Sequence, residues 1–253
     1  MAQARLFLCA LQFMTRLPTP RLKGFQPDWI ARSAPYYPVV GWLVGGLSGA
    51  AFLAASPFWP GLPAAVIAIV VGLLATGGFH EDGLADAADG LGGGRTPARR
   101  LEIMKDSRIG NYGALALWSV LTLKAVLLAT LPPWQGALAL LLTHGAGRAA
   151  AAGVMASLTY VRDEDQAKLG PSPMAVRPPE AAIAVALGVA PMILWPSHLH
   201  AAAGLCLAAI GATVLALVSR RLIGGFTGDV LGAIEQFVEL GLLLGLTVKA
   251  LAG

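Results

Sequence analysis

Long apolar stretches alternate along this chain with short polar segments. Most of the stretches approach the roughly 20 residues that a helix needs to cross the hydrocarbon core of a membrane. Glycine and proline are frequent inside them, which membrane helices tolerate. The pattern predicts an all-α, polytopic helical bundle with about seven transmembrane helices. The seven apolar runs are 37–55, 63–79, 112–131, 135–158, 180–195, 200–218 and 230–252.

A shorter apolar segment precedes the first run. Residues 4–17 carry Arg5 and Arg16 among apolar side chains, and the segment is too short to span a bilayer. It predicts an amphipathic helix that lies on the membrane surface. The two arginines and the lack of a small-residue cleavage site argue against a secretory signal peptide.

Composition supports an integral membrane protein. The 253 residues are 56% hydrophobic and 13% charged, with a mean hydropathy of +0.68, whereas soluble domains carry about 25% charged residues. We therefore predict a single transmembrane domain, 1–253, with cytoplasmic catalytic loops near 80–111 and 219–229. The two cysteines, Cys9 and Cys206, cannot build a disulfide framework or a zinc motif.

The distribution of positive charge predicts the orientation. If the N-terminus is cytoplasmic, 15 of the 18 Lys and Arg residues fall in cytoplasmic segments and none in the outer loops. This is the positive-inside pattern, and it places the C-terminus outside. The net charge of +4 then reflects topology and an anionic lipid leaflet rather than nucleic-acid binding. The cytoplasmic segments are 1–36, 80–111, 159–179 and 219–229.

The segment after the second apolar run is rich in carboxylates. Asp82, Asp86 and Asp89 are spaced i, i+4 and i+7, so on a helix they fall within an arc of roughly 60°. Three carboxylates on one face repel each other, and a hard divalent cation such as Mg²⁺ would relieve the repulsion. The alternative is a solvated acidic loop.

Basic residues follow in the same segment. Several glycines lead to Arg95, and such a turn lets backbone N–H groups approach an anion, although it also suits a flexible connector. Lys105 and Arg108 can converge on one phosphate, and Asp106 can orient either of them. The alternative is an ordinary positive-inside loop in which, like Arg99 and Arg100, these residues determine topology.

Acidic residues also mark the last apolar run. Thr227 is a plausible helix N-cap, Asp229 lies in the first turn, and Gln236 lies on the same face as Asp229. Glu239 is ten residues into the helix, about 15 Å deep, where a carboxylate needs a partner. Arg148 is predicted at a similar depth.

We expect Arg148 to pair with Glu239, as a functional contact or as a purely structural interhelical pair, and His144 lies one turn from Arg148. Lys124 and Lys249 lie nearer the outer ends of their runs. They are expected to extend their ammonium groups to the membrane surface.

These blocks resemble the adenosylcobinamide-GDP ribazoletransferase family, the membrane-bound cobalamin synthases. The resemblance runs nearly end to end, and its acidic and Met-Lys-Asp-Ser-Arg blocks are long and specific. The blocks are Thr15 to Pro20, Tyr37 to Gly41, Gly77 to Gly90, Ile103 to Gly110 and Gly225 to Asp229.

The resemblance implies a Mg²⁺-dependent transferase. Its substrates would be adenosylcobinamide-GDP and α-ribazole or α-ribazole 5′-phosphate. The ribazole 3′-hydroxyl would attack the phosphorus next to the aminopropanol arm, and GMP would leave. Such transfer depends on charge neutralisation and in-line positioning.

The resemblance and the spacing together give each candidate residue a role. One carboxylate, for which Asp89 is the candidate, would take the hydroxyl proton. Lys105 and Arg108 would act in catalysis on the pyrophosphate, together with the catalytic carboxylates Asp82, Asp86 and Asp89. The magnesium ligands would be Asp82, Asp86, Asp89 and Asp229. The substrate-binding residues would be His80, Arg95, Asp106, Arg148, Thr227, Gln236 and Glu239.

Two other functions remain open. A CDP-alcohol phosphatidyltransferase also uses an Asp-rich helix with Mg²⁺, but Ala85 is followed here by Asp86 where that pattern has an Ala-Arg pair. A corrinoid or cation transporter would use Glu239 and Arg148 but needs no phased aspartates. The expected location is the bacterial inner membrane, and a homo-oligomer is compatible with the sequence.

Overall fold

A computed structural model of the chain describes residues 3–26, 28–161 and 174–249. Within these ranges the secondary structure is helical, as the sequence predicts, with 3-10 turns at Ala34–Tyr36 and Ala190–Leu194. The described α-helices are α1 (Gln3–Met14), α2 (Trp29–Arg32), α3 (Tyr37–Ala55), α4 (Leu62–Thr76), α5 (Phe79–Gly93), α6 (Pro97–Met104), α7 (Asn111–Ala129), α8 (Pro133–Ser157), α9 (Pro178–Val189), α10 (His198–Ile223) and α11 (Gly228–Leu246).

The helices make this a multi-pass membrane protein. Four described helical segments, Ala34–Ala55, α7, α8 and α10, are long and apolar enough to cross a bilayer, and α4 and α5 pass the same test only when they are taken together across a sharp bend. All seven predicted runs fall on helices, but α9 is short and α11 carries three acidic side chains. The count of seven spans therefore stays a prediction. The last residues of run 230–252 and part of segment 159–179 lie outside the described residues.

The N-terminal segment forms α1, as predicted. Leu6, Cys9, Ala10 and Met14 share its buried side and pack against the protein. The prediction that its other side rests on the membrane surface is not tested by the described contacts.

Helices α3 and α8 pack through glycines spaced four residues apart. A Cβ atom at Gly41 or Gly45 would overlap a backbone carbonyl of α8, and one at Gly49 would lie 2.9 Å from the carbonyl oxygen of Ala137. Small residues at this spacing let two membrane helices approach backbone to backbone. We call Gly41, Gly45 and Gly49 the glycine ladder.

Helix α4 ends at a sharp break that turns the chain by 91° into α5. Gly77 and Gly78 both have positive φ, +72° and +70°, which glycine adopts without steric cost. The Arg16 side chain packs on Gly77, and the Arg16 N–H donates to the carbonyl of Ala75 over 2.8 Å. Since α5 carries four acidic side chains, it does not continue α4 through hydrocarbon.

The predicted loop 80–111 is mainly helical. Helix α5 continues through Gly93, so the glycines that follow the aspartates do not form the expected turn. The reason is close packing of α6, because a Cβ at Gly90 would overlap the Met104 side chain and lie 2.8 Å from the carbonyl oxygen of Arg100. Irregular backbone is confined to a short link near Arg95 and to residues 105–110, which we call the phosphate loop.

Candidate active site

Helices α5 and α11 bring three aspartates into one region. Asp82 and Asp86 come from α5, and Asp229 comes from the first turn of α11. Gly83 permits the approach, because a Cβ there would lie 3.0 Å from the backbone carbonyl oxygen of Asp229. We call Asp82, Asp86 and Asp229 the acidic cluster.

The electrostatics of the acidic cluster favour a cation. The pKa of Asp86 is raised to about 6, first by burial and then by the negative charges of Asp82, Asp229 and Asp89. Like charges at short range raise a carboxyl pKa because they disfavour the ionised form. A divalent cation would reverse this effect.

Thr227 fixes the start of α11, as predicted. Its hydroxyl accepts the backbone N–H of Val230 over 3.3 Å and is therefore the N-cap. The same hydroxyl lies 3.3 Å from Oδ2 of Asp229 as a donor. Thr227 thus orients a member of the acidic cluster.

Asp89 differs from the two aspartates that share its helix face. It is buried, and its two oxygens accept separate backbone N–H groups, Oδ2 from Gly110 over 2.7 Å and Oδ1 from Gly113 over 2.9 Å. Metal binding and proton transfer by Asp89 stay predictions, although both oxygens already have donors.

The phosphate loop presents its basic side chains to solvent. Lys105 and Arg108 are exposed. Asp106 orients Arg108 as expected, since Arg108 Nε donates to Asp106 Oδ1 over 3.0 Å and Nη2 to Oδ2 over 2.6 Å. The guanidinium lowers the pKa of Asp106 to about 2. Arg95 is exposed in the link between α5 and α6.

The side chains of the acidic cluster are not arranged as a finished metal cage. Within the described residues, no three His, Cys, Asp or Glu side chains are grouped so that they could hold an ion as they stand. Metal binding by Asp82, Asp86, Asp89 and Asp229 therefore stays a prediction. The donors are nevertheless hard carboxylate oxygens, which suit Mg²⁺ when substrate phosphates and water complete the shell.

A buried ionic network lies behind the acidic cluster. Lys124 is buried, and its Nζ lies 2.5 Å from Glu239 Oε2 and 3.0 Å from Gln236 Oε1. The expectation that Lys124 reaches the membrane surface is wrong, because its ammonium group pairs with a carboxylate of α11. Lys249 is exposed.

Arg148 joins the same network. Its Nη1 lies 3.4 Å from Glu239 Oε1, which confirms the predicted pair, and 3.7 Å from Glu235 Oε2. His144 Nδ1 lies 3.6 Å from the same Glu239 oxygen. His80 Nε2 approaches Glu235 Oε2 to 2.9 Å, but the contact lacks hydrogen-bond geometry, and neither atom has a hydrogen-bond partner.

The network also reaches the first turn of α5. Gln236 donates to Glu81 Oε1 over 2.9 Å and so links Glu81 to Lys124. The small cavity beside it, lined by both apolar and charged side chains, has room for about one water molecule. Substrate binding by His80, Arg148, Gln236 and Glu239 stays a prediction.

No place in the site was predicted for Glu81, Lys124 or Glu235. Glu81 stands inside the acidic block, and a charge within an apolar run is the signal that marks Lys124 and Glu235 as residues needing partners. What the spacing does not reveal is which helices supply those partners.

The fold and the site define a multi-pass helical membrane protein with a carboxylate cluster beside a cationic loop. The sequence pattern of the cobalamin-5-phosphate synthase family matches residues 6–247. The chain belongs to this family.

Three curated relatives named adenosylcobinamide-GDP ribazoletransferase are similar over nearly their full length. The protein of Leptothrix cholodnii is 42% identical over 96% of this chain and 95% of its own. The protein of Shewanella woodyi is 41% identical over 97% of this chain and 98% of its own. The protein of Shewanella baltica is 42% identical over 93% of this chain and 90% of its own. No solved structure was matched.

Proposed function

We propose that this chain is an adenosylcobinamide-GDP ribazoletransferase that joins α-ribazole, or its 5′-phosphate, to adenosylcobinamide-GDP. The products are adenosylcobalamin, or its 5′-phosphate, and GMP. The observation that carries the proposal is the attachment of the cationic phosphate loop to the same helix, α5, that supplies two aspartates of the acidic cluster. Family membership supports it independently.

In the proposed reaction an oxygen–phosphorus bond is exchanged. The ribazole 3′-oxygen forms a bond to the phosphorus that carries the aminopropanol arm, the bond to GMP breaks, and GMP leaves with the electron pair. The hydroxyl proton passes to a carboxylate. Little covalent chemistry falls to the protein, so its work is to position both substrates and balance their charge.

The phosphate loop binds the diphosphate in this proposal. Arg108 offers a planar fork of donors that matches phosphate oxygens, and Asp106 holds the fork in place. Lys105 adds a point charge where negative charge moves onto the departing GMP. Arg95, on the neighbouring link, is the next cation available to the nucleotide.

Mg²⁺ is the proposed cofactor. Asp82, Asp86 and Asp229 would hold it, and when bound it would neutralise the diphosphate oxygens as a Lewis acid. The crowded negative charge at Asp86 supports this assignment.

The proposed location is the bacterial inner membrane, with the N-terminus, the acidic cluster and the phosphate loop cytoplasmic. The Lys and Arg asymmetry supports this orientation. It places the site where water-soluble nucleotide substrates can reach it.

The test uses the full-length protein, purified in micelles, with adenosylcobinamide-GDP and α-ribazole. We expect Mg²⁺-dependent release of GMP together with a corrinoid carrying the lower base. Transfer to a lipid alcohol instead would indicate a phosphatidyltransferase, and transport of corrinoid into proteoliposomes without GMP release would indicate a transporter. Either result would overturn the proposal.

A further inference from the structure

Asp89 is bound to the N-terminus of α7 in an unusual way. Gly110 is the N-cap residue of α7 and Gly113 is its third helical residue, and Asp89 accepts the N–H of both. In a capping box these two N–H groups are satisfied by side chains of the helix itself. Here a single carboxylate from α5 satisfies both.

The two glycines leave room for this carboxylate and for little else. A Cβ atom at Gly110 or at Gly113 would overlap the Asp89 carboxylate. The negative charge also lies at the positive end of the α7 dipole, where it is stabilising. The site is therefore shaped around Asp89.

The phosphate loop is fixed at both ends by consecutive residues of α5. At its start, Met104 packs against Gly90. At its end, Gly110 donates to Asp89. Asp86 lies three residues earlier on α5, about 4.5 Å along the helix axis. The register of α5 thus sets the spacing between the loop and the acidic cluster.

We propose that Asp89 is a positioning residue that holds the phosphate loop in register with the acidic cluster, and that it is neither a magnesium ligand nor the proton acceptor. The link to catalysis rests on the proposed function. The anchoring itself rests only on the two hydrogen bonds and the two glycines.

Limited trypsin digestion in micelles without substrate tests the anchoring, because Lys105 and Arg108 are cleavage sites within the loop. Asp89→Asn cannot accept from both N–H groups, so cleavage at these sites should accelerate about tenfold. Gly113→Ala, which leaves every carboxylate intact, should do the same. Gly46→Ala in α3 is the matched control, because a Cβ there meets nothing within 4 Å.

Kinetics then separate positioning from metal binding. Asp89→Asn should raise KM for the GDP-activated substrate and lower kcat/KM about tenfold, with half-saturation by Mg²⁺ unchanged. A trypsin cleavage rate in Asp89→Asn equal to that of the wild type would overturn the anchoring. If Asp89→Asn does not fold, an unchanged cleavage rate in Gly113→Ala would overturn it instead. If higher Mg²⁺ concentrations recovered the activity of Asp89→Asn, Asp89 would have to be counted as a magnesium ligand. Absence of transfer by the wild-type protein would count against the proposed function alone and leave the digestion result standing.

Discussion

Lys124 and Glu239 form an ion pair inside the helical bundle, with Lys124 Nζ 2.5 Å from Glu239 Oε2 and both side chains at least 96% buried. The pair joins α7 to α11, and Arg148 adds α8 on the other side of the same carboxylate. Side chains of α7, α8 and α11 therefore meet at the Glu239 carboxylate. Removing a single partner from such a pair leaves the other charged and desolvated.

Lys124→Met should destabilise the protein by about 3 kcal/mol, because Glu239 loses its closest cation. The measurement is thermal or denaturant unfolding in micelles. The double variant Lys124→Met with Glu239→Gln should recover part of the loss, since no unpaired carboxylate remains. Lys249→Met is the control, because Lys249 is exposed. Equal stability of Lys124→Met and wild type would mean that the pair contributes little.

Asp86→Asn should lower kcat/KM for the transfer reaction by at least about 100-fold, because a neutral amide is a poor ligand for a hard cation. Asp82→Asn should behave alike. The unfolding temperature of both variants should stay close to that of the wild type. The measurement is GMP release across a Mg²⁺ titration. Activity within a few-fold of wild type in either variant would contradict the proposed metal role.

Arg108→Lys should reduce kcat/KM for the GDP-activated substrate about tenfold, because it keeps the charge but loses the planar fork that Asp106 holds. Arg108→Ala should lose about another tenfold, and Lys105→Ala should also be impaired.

Arg99→Ala is the matched control for the loop variants. Arg99 pairs on the surface with Glu102 over 2.7 Å, and an exposed pair of this kind contributes little. Arg100 is less suitable, since its side chain is half-buried and packs on Gly94. Equal losses at positions 99, 105 and 108 would indicate diffuse electrostatic attraction instead of specific phosphate binding.

A reporter inserted after Gly94 should be cytoplasmic, and one fused after Gly253 should be outside. The reason is the concentration of Lys and Arg in the proposed cytoplasmic segments. Enzymatic reporters active on only one side of the membrane provide the measurement. A cytoplasmic C-terminus would mean that the number of spans is even.

The sequence predicts the helices and the Arg148–Glu239 pair because hydrophobic length and isolated charges are local signals. It does not predict the break between α4 and α5. Gly77 and Gly78 occur within a chain rich in glycine, and what distinguishes them is visible only in the structure: both have positive φ, and Arg16 packs on Gly77. For the glycines after Asp89 the sequence predicts a turn, whereas in the structure helix α5 continues through Gly93 and α6 packs closely on Gly90.

Asp89 shows why shared helical phase is an incomplete guide to a site. Its spacing from Asp82 and Asp86 predicts a common face, and the structure puts all three on α5. Its partners, however, are N–H groups 21 and 24 residues away. Backbone donors carry no sequence signature, so the periodicity of the carboxylates could not separate the anchor from the acidic cluster.

The glycine ladder has a consequence for motion during turnover. With backbones in direct contact along α3 and α8, neither helix can slide or rotate against the other without carbonyl groups colliding. The pair is therefore expected to behave as a rigid strut. Any adjustment that admits a corrinoid and releases a nucleotide is then expected to come from elements other than α3 and α8.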